Sequence, residues 1–231
     1  MPPTTREQLA RCIDHSLLDP FAVGADIERH CAEAVQYGFF GVCVLGRWVE
    51  TAADILHGKG IAVVGVAGFP FGTNSTKIKA AEAKELIMAG ADEIDMVADL
   101  GAIMEGDARR LAEDIATVHR ECRAMRPAVL LKVIIESGSL TDEQIVLTCR
   151  VAEHVGADFV KTSTGLFGVT GATVEAVRLM KDSLTTCRVK AAGGIRTARQ
   201  AMEMLHAGAE RIGASRSIEI VEGFTSEVSQ Q

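Results

Sequence analysis

The chain has 231 residues, 48% of them hydrophobic and 24% charged, enough apolar material for a sizeable core and far from the composition of a disordered segment. Its 31 acidic and 24 basic residues give a net charge of −7 with no basic run, which excludes nucleic acid and an anionic membrane as expected partners. Cys12, Cys31, Cys43, Cys122, Cys149 and Cys187 are scattered singly without a CxxC pair, so neither a zinc knuckle nor a disulfide framework is signalled. The amino-terminal stretch MPPTTREQLARCIDHSLL lacks the pattern of a targeting segment, and a cytoplasmic location is expected.

Short apolar, β-branched runs alternate with longer segments of helical period. In chain order, strands are expected at 12–14, 41–45, 62–67, 93–97, 129–135, 159–161, 188–191 and 211–212. Between the third and fourth, Asn74-Ser75-Thr76 caps a helix over 77–88 that Gly90 closes. Between the fifth and sixth, Thr141-Asp142-Glu143 precedes a helix over 144–155 that Gly156 closes. A phrase recurs where helix gives way to strand: Gly90-Ala91-Asp92, Gly156-Ala157-Asp158 and Gly208-Ala209-Glu210. Eight strand–helix units of about 29 residues require a parallel sheet and fit a single closed (β/α)₈ barrel over residues 1–231. A doubly wound open sheet is the alternative, but no GxGxxG follows the first strand and no linker divides the chain. In a closed barrel the chemistry lies at the carboxyl ends of the strands.

Charged residues inside apolar strands are costly to bury, which singles out Asp14, Asp95, Lys132, Lys161 and Lys190. Alternation along 93–97 puts Glu93, Asp95 and Val97 on one face, so that face must accept carboxylate. Lys161 and Lys190 fall on consecutive strands at similar height. Two crowded ammonium groups lower at least one pKa and make available a neutral amine, the nucleophile of Schiff-base chemistry. The competing reading is a plain ion pair with a carboxylate such as Asp95. Two glycine-rich turns, Gly193-Gly194 after the seventh strand and Gly213-Ala214-Ser215 after the eighth, stand where such barrels cradle phosphate. The six histidines show no metal-ligand spacing, so no metal site is expected. Cys43 reads as core, and Asp14-His15 as either a substrate contact or an internal pair.

Longer phrases, in order along the chain, sharpen this reading: Ile13-Asp14-His15-Ser16-Leu17-Leu18, Gly68-Phe69-Pro70-Phe71-Gly72, Gly90 to Val97, Lys132-Val133-Ile134-Ile135-Glu136, Gly156 to Gly165, Val189 to Thr197, and Arg211-Ile212-Gly213-Ala214-Ser215. Together they resemble the deoxyribose-phosphate aldolases, class I aldolases that reversibly cleave 2-deoxy-D-ribose 5-phosphate to acetaldehyde and D-glyceraldehyde 3-phosphate. The resemblance implies that Lys161 forms the Schiff base, Lys190 depresses its pKa, and Asp95 acts as acid and base with an ordered water. It implies substrate contacts at Asp14, Lys132, Thr162, Gly165, Gly193, Gly194, Arg196, Gly213, Ser215 and Arg216. No metal or organic cofactor is expected, the partners are small phosphosugars and aldehydes, and self-association as a homo-oligomer is left open.

The chain departs from the family pattern at Asp19 and Leu166, where relatives carry lysine, and at Arg216, where serine is expected. It also lacks a tyrosine in its tail, 225–231. Arg216 is expected to replace part of the missing attraction for phosphate. A phosphosugar isomerase on the same barrel, which needs a carboxylate and an acid but no imine, and a non-catalytic sugar-phosphate binder are the rival readings.

Overall fold

The computed structural model describes residues 2–125, 129–166 and 171–225. Eight parallel strands close in chain order: β1 (Ile13–Leu17), β2 (Gly41–Val44), β3 (Ala62–Ala67), β4 (Glu93–Val97), β5 (Leu130–Ile134), β6 (Phe159–Lys161), β7 (Arg188–Ala192) and β8 (Arg211–Ala214), with β8 pairing back onto β1. The α-helices among the described residues are α1 (Arg6–Ala10), α2 (Gly24–Tyr37), α3 (Val49–Leu56), α4 (Thr76–Met88), α5 (Leu100–Glu105), α6 (Ala108–Met125), α7 (Asp142–Val155), α8 (Val174–Ser183), α9 (Ala198–His206) and α10 (Ser217–Glu222). The fold is the expected (β/α)₈ barrel. Among the described residues no helix is long and apolar enough to cross a membrane.

Beyond a one-residue extension of β7 to Ala192, β1 and β8 run further than their sequence pattern shows. β1 continues to Leu17 because Ser16 and Leu17 pair with Cys43 and Val44 of β2. β8 continues through Gly213 and Ala214, which pair with Ala192 of β7 and His15 of β1. Both extensions depend on neighbours distant in sequence, which local periodicity does not register.

The recurring Gly-Ala-acid phrase turns each helix into the next strand at the amino end of the barrel. Gly90, Gly156 and Gly208 have φ of 103°, 97° and 113°, in the left-handed region that only glycine enters without strain. Ala91, Ala157 and Ala209 then donate back to Leu86, Ala152 and Met204, closing the helices. Asp92 and Asp158 each accept a backbone N–H at the start of the neighbouring strand, from Val63 and Leu131, both at 2.9 Å.

The apolar interior divides in two. A large layer lies between the sheet and its helices, whereas Cys43, Val64 and Val66 form a small cluster of their own with Leu18, Leu45 and Phe69. The small cluster fills the β2–β3 side of the barrel lumen, and charged residues of β1 and of β4 to β8 lie across from it. One buried ion pair lies outside the barrel: Lys79 of α4, fully buried, reaches Asp114 of α6 at 2.8 Å, and Asp114 also accepts from Thr76 Oγ1 and the Asp99 N–H. Lys79→Met leaves that buried carboxylate without its cation. It is expected to cost about 3–5 kcal/mol of stability, read as a fall in the urea midpoint. A loss below about 1 kcal/mol would show that Asp114 rehydrates instead.

Candidate active site

Strand register places the charged side chains. Lys161 and Lys190 are direct partners across β6 and β7, and Asp95 and Lys132 across β4 and β5. All four point into the lumen, where Asp95 is the hub. Its Oδ1 accepts from Lys132 Nζ at 2.6 Å, and its Oδ2 from Lys161 Nζ at 2.8 Å and Lys190 Nζ at 2.7 Å. Lys190 also donates to Asp14 Oδ2 at 2.5 Å. The ion pair between Lys161 and Asp95 weighed as the alternative is therefore present, within a larger constellation.

Burial opposes the charge on Asp95, but Lys132, Lys161 and Lys190 outweigh it and hold the carboxyl well below the usual carboxylate range. Burial likewise opposes ionisation of Asp14, and Lys190, Arg211 and Lys132 overcome it to hold the carboxyl at about 2. For Lys190, burial is outweighed by Asp14 and Asp95, which raise its pKa above the ordinary lysine value. Lysine crowding therefore does not lower Lys190: two carboxylates make it the fixed cation of the pair. Cys43 is buried in the same lumen with its thiol pushed up by burial, consistent with a core role.

A cleft of about 480 Å³ opens over this constellation at the carboxyl ends of the strands. Lys161 lies in its floor, 3% exposed, while Asp95, Lys190, Lys132 and Asp14 lie fully buried beneath. Of the other expected contacts, Gly165, Gly193, Gly194, Arg196, Gly213 and Ser215 line the cleft. Thr162 does not; its hydroxyl donates to the Ala192 carbonyl at 2.8 Å and accepts the Ala192 N–H, tying β6 to the end of β7. Arg216 is exposed, immediately precedes α10, and is absent from the cleft wall. Asp19 and Leu166 are on the wall, so two of the departures from the family pattern fall on the cleft itself. Residues 226–231 of the tail lie outside the described residues.

Two glycines of these turns sit in close approach to their neighbours. A Cβ on Gly213 would meet Lys190 Cε at 3.1 Å, and one on Gly193, at φ 92°, would meet Ser163 Oγ at 2.4 Å. The turns read as a phosphate cradle thus also let Lys190 and the β6 loop pack closely.

The sequence reading missed Ser16, Leu17, Leu18 and Pro20 on the cleft wall, and Arg211 beneath it. It also missed Glu136, buried at φ 54°, which accepts the Thr164 N–H at 2.6 Å and fixes the loop after β6. His15 and His30 meet outside the lumen, their rings stacked at 3.7 Å, with His15 Nε2 against Glu33 at 3.1 Å and His30 Nε2 on the His15 carbonyl at 3.0 Å. Their ligand atoms and that of Glu33 lie within 4.8 Å of one another, a grouping that chain spacing does not show. Burial pushes His15 down to about 4 and His30 to about 3, so both are neutral and hydrogen-bonded within this group. A second cleft, about 720 Å³, opens at the amino ends of β3 and β4, lined by Glu50, Asp54, His57 and Asp92 among others; no lysine lines it among the described residues.

Comparison with known proteins decides the family. A family model described as DeoC/LacD family aldolase matches residues 12–225. The chain belongs to that family. This aldolase is 49% identical over 216 residues to the deoxyribose-phosphate aldolase of Aciduliprofundum boonei, covering 93% of this chain and 96% of that one. To the deoxyribose-phosphate aldolase of Thermococcus kodakarensis it is 47% identical over 225 residues, covering 96% and 99%. It also superimposes on the tetrameric deoxyribose phosphate aldolase of Aeropyrum pernix with a TM-score of 0.88 at 29% identity, covering 94% and 91% of the two chains. The aldolase is accordingly an enzyme, a carbon–carbon lyase, and the resemblance read from its motifs names the same family.

Proposed function

We propose that this aldolase reversibly cleaves 2-deoxy-D-ribose 5-phosphate to D-glyceraldehyde 3-phosphate and acetaldehyde through an imine on Lys161. The observation that carries the reading is Lys161 at the floor of the cleft, hydrogen-bonded to a carboxylate that also holds Lys190 and Lys132. The neutral Lys161 amine adds to the C1 aldehyde of the open-chain sugar, and loss of water gives the iminium. Its positive carbon draws electrons as the C2–C3 bond breaks. The C3 hydroxyl gives up its proton and leaves as the aldehyde of glyceraldehyde 3-phosphate. The C2 carbon of the resulting enamine is then protonated, and water releases acetaldehyde and Lys161.

Asp95, with an ordered water, takes the C3 hydroxyl proton and returns it to C2. Its depressed pKa keeps the carboxyl ionised, the form that can accept a proton. The same carboxylate is counter-ion to the iminium. The turns at Gly193-Gly194 and Gly213-Ser215, with Arg196, line the part of the cleft suited to the 5-phosphate. Homo-oligomerisation is supported by the tetrameric relative.

The test is borohydride reduction with acetaldehyde followed by peptide mapping. The expected result is a two-carbon adduct on Lys161. Retained turnover of deoxyribose 5-phosphate with no trapped lysine would favour an isomerase-like mechanism, and an adduct on another lysine would refute the assignment.

A further inference from the structure

Beneath the cleft floor the ion pairs form a closed circuit. Lys132 Nζ contacts Asp95 Oδ1 at 2.6 Å, Asp95 Oδ2 contacts Lys190 Nζ at 2.7 Å, and Lys190 Nζ contacts Asp14 Oδ2 at 2.5 Å. Asp14 Oδ1 contacts Arg211 Nη1 at 2.7 Å, Arg211 Nη1 contacts Glu93 Oε2 at 3.1 Å, and Glu93 Oε2 returns to Lys132 Nζ at 2.6 Å. Three cations alternate with three carboxylates, every one of them buried and held by two opposite charges. Arg211 is clamped further by the Phe40 ring, 3.3 Å from Cζ. Lys161 stands outside the circuit, attached, among the described residues, by one ionic contact to Asp95 Oδ2.

We infer that Arg211 and Glu93, neither of which lines the cleft, are positioning residues that close a charge-neutral ring beneath Lys161 and so make its proton the surplus one. The ring sums to zero, so an ammonium on Lys161 leaves a net positive charge in a desolvated lumen, which is costly. Arg211 does not give up a proton, and Lys190 and Lys132 are each held between two carboxylates. Among the described residues Lys161 has one ionic partner, and it is the member of the group that lies against the cleft, where a substrate aldehyde would meet its amine. This deepens the imine reading and rests on it.

The other groups near Lys161 are unchanged in every variant compared below, so they do not alter the direction of the shifts. Cys43 of β2 carries a buried, neutral thiol, and Val64 and Val66 of β3 are apolar. Glu136, just beyond β5, bonds the Thr164 N–H and makes no ion pair among the described residues. Arg188 of β7 is partly exposed and stacks on Phe159 of β6 at 4.0 Å.

The ring makes its two remote members act in opposite directions. Glu93→Gln removes a negative charge and leaves the lumen more positive, so the Lys161 proton departs more readily. The acid limb of borohydride trapping with acetaldehyde is expected to move about one pH unit lower, the scale of a unit charge nearby at an effective dielectric near 20. Arg211→Met removes a positive charge and should move the limb about one unit higher. The double variant, neutral again, and Arg211→Lys, which keeps the charge, should both return the profile to within a few tenths of a unit of wild type. A purely structural role would lower the melting temperature of both single variants and move their pH profiles together or not at all; that result overturns the inference. Glu93→Gln is nearly isosteric and carries the test alone if Arg211→Met is not recovered folded. An unmodified Lys161 in the wild-type enzyme would instead overturn the imine reading, independently of these shifts.

Discussion

Lys161→Arg is expected to eliminate the acetaldehyde adduct and to lower kcat for deoxyribose 5-phosphate by on the order of 10⁴-fold or more, the scale on which loss of a covalent nucleophile is felt. Arginine is the informative replacement. It retains a cation that can answer Asp95 Oδ2, now bonded by Lys161 at 2.8 Å, but its guanidinium stays protonated and forms no imine under these conditions. If Lys161 were only a partner for Asp95, arginine would preserve much of the activity. Since the proposed mechanism passes through a bond to Nζ, the loss should fall on kcat, with little change in melting temperature. Retention of more than about a tenth of wild-type turnover would remove Lys161 from the covalent role.

Much of this site was legible before the fold was known, for identifiable reasons. A lysine within a short apolar strand has few sterically permitted destinations. The phrase that opens β6, Gly156-Ala157-Asp158, sets Lys161 at the strand's carboxyl end in β6, level with Lys190 in β7. Alternation along β4 likewise put Glu93 and Asp95 on one face, and both are found in the lumen. What the chain did not reveal was which charges meet. Asp14 and Arg211 are separated by nearly the whole sequence and touch only because β8 closes onto β1. Arg211 itself reads as the polar start of a short strand; only barrel closure turns it into the link between Asp14 and Glu93.

The same blindness explains the other omissions. Lys79 and Asp114 sit on two helices whose polar faces look solvated in sequence but pack together. His15 and His30 are brought into a stack by β1 and α2 rather than by any chain spacing. Arg216 shows the converse limit: its place after the Gly213-Ala214-Ser215 turn put it near the cleft in sequence, yet the backbone leaves it exposed and off the wall. Proximity along a chain fixes a loop, not the direction of the side chain that follows it.

Lys190→Leu is expected to slow turnover by about 10²-fold or more and to move the acid limb of imine formation to higher pH. In the wild type, Asp14 and Asp95 raise the pKa of Lys190, so it remains charged throughout the range in which the enzyme would work. It therefore satisfies two carboxylates without drawing on Lys161. Leucine removes that cation and leaves Asp14 with Arg211, and Asp95 with Lys132 and Lys161. The lumen becomes one charge more negative, and Lys161 is recruited to neutralise Asp95 as an ammonium. A protonated Lys161 is no nucleophile, so trapping requires higher pH, the same sign as for Arg211→Met but larger because Lys190 shares the Asp95 oxygen with Lys161. Loss of a buried partner also costs stability, about 3–5 kcal/mol for a broken buried pair, so turnover alone does not separate the two effects. The pH profile does. Lys190→Arg restores the charge and should return the limb toward the wild-type position even if packing against Gly213 reduces stability. A Lys190→Leu enzyme that is slower but keeps the wild-type limb would show that Lys190 serves the fold, and that desolvation by itself governs when Lys161 becomes a nucleophile.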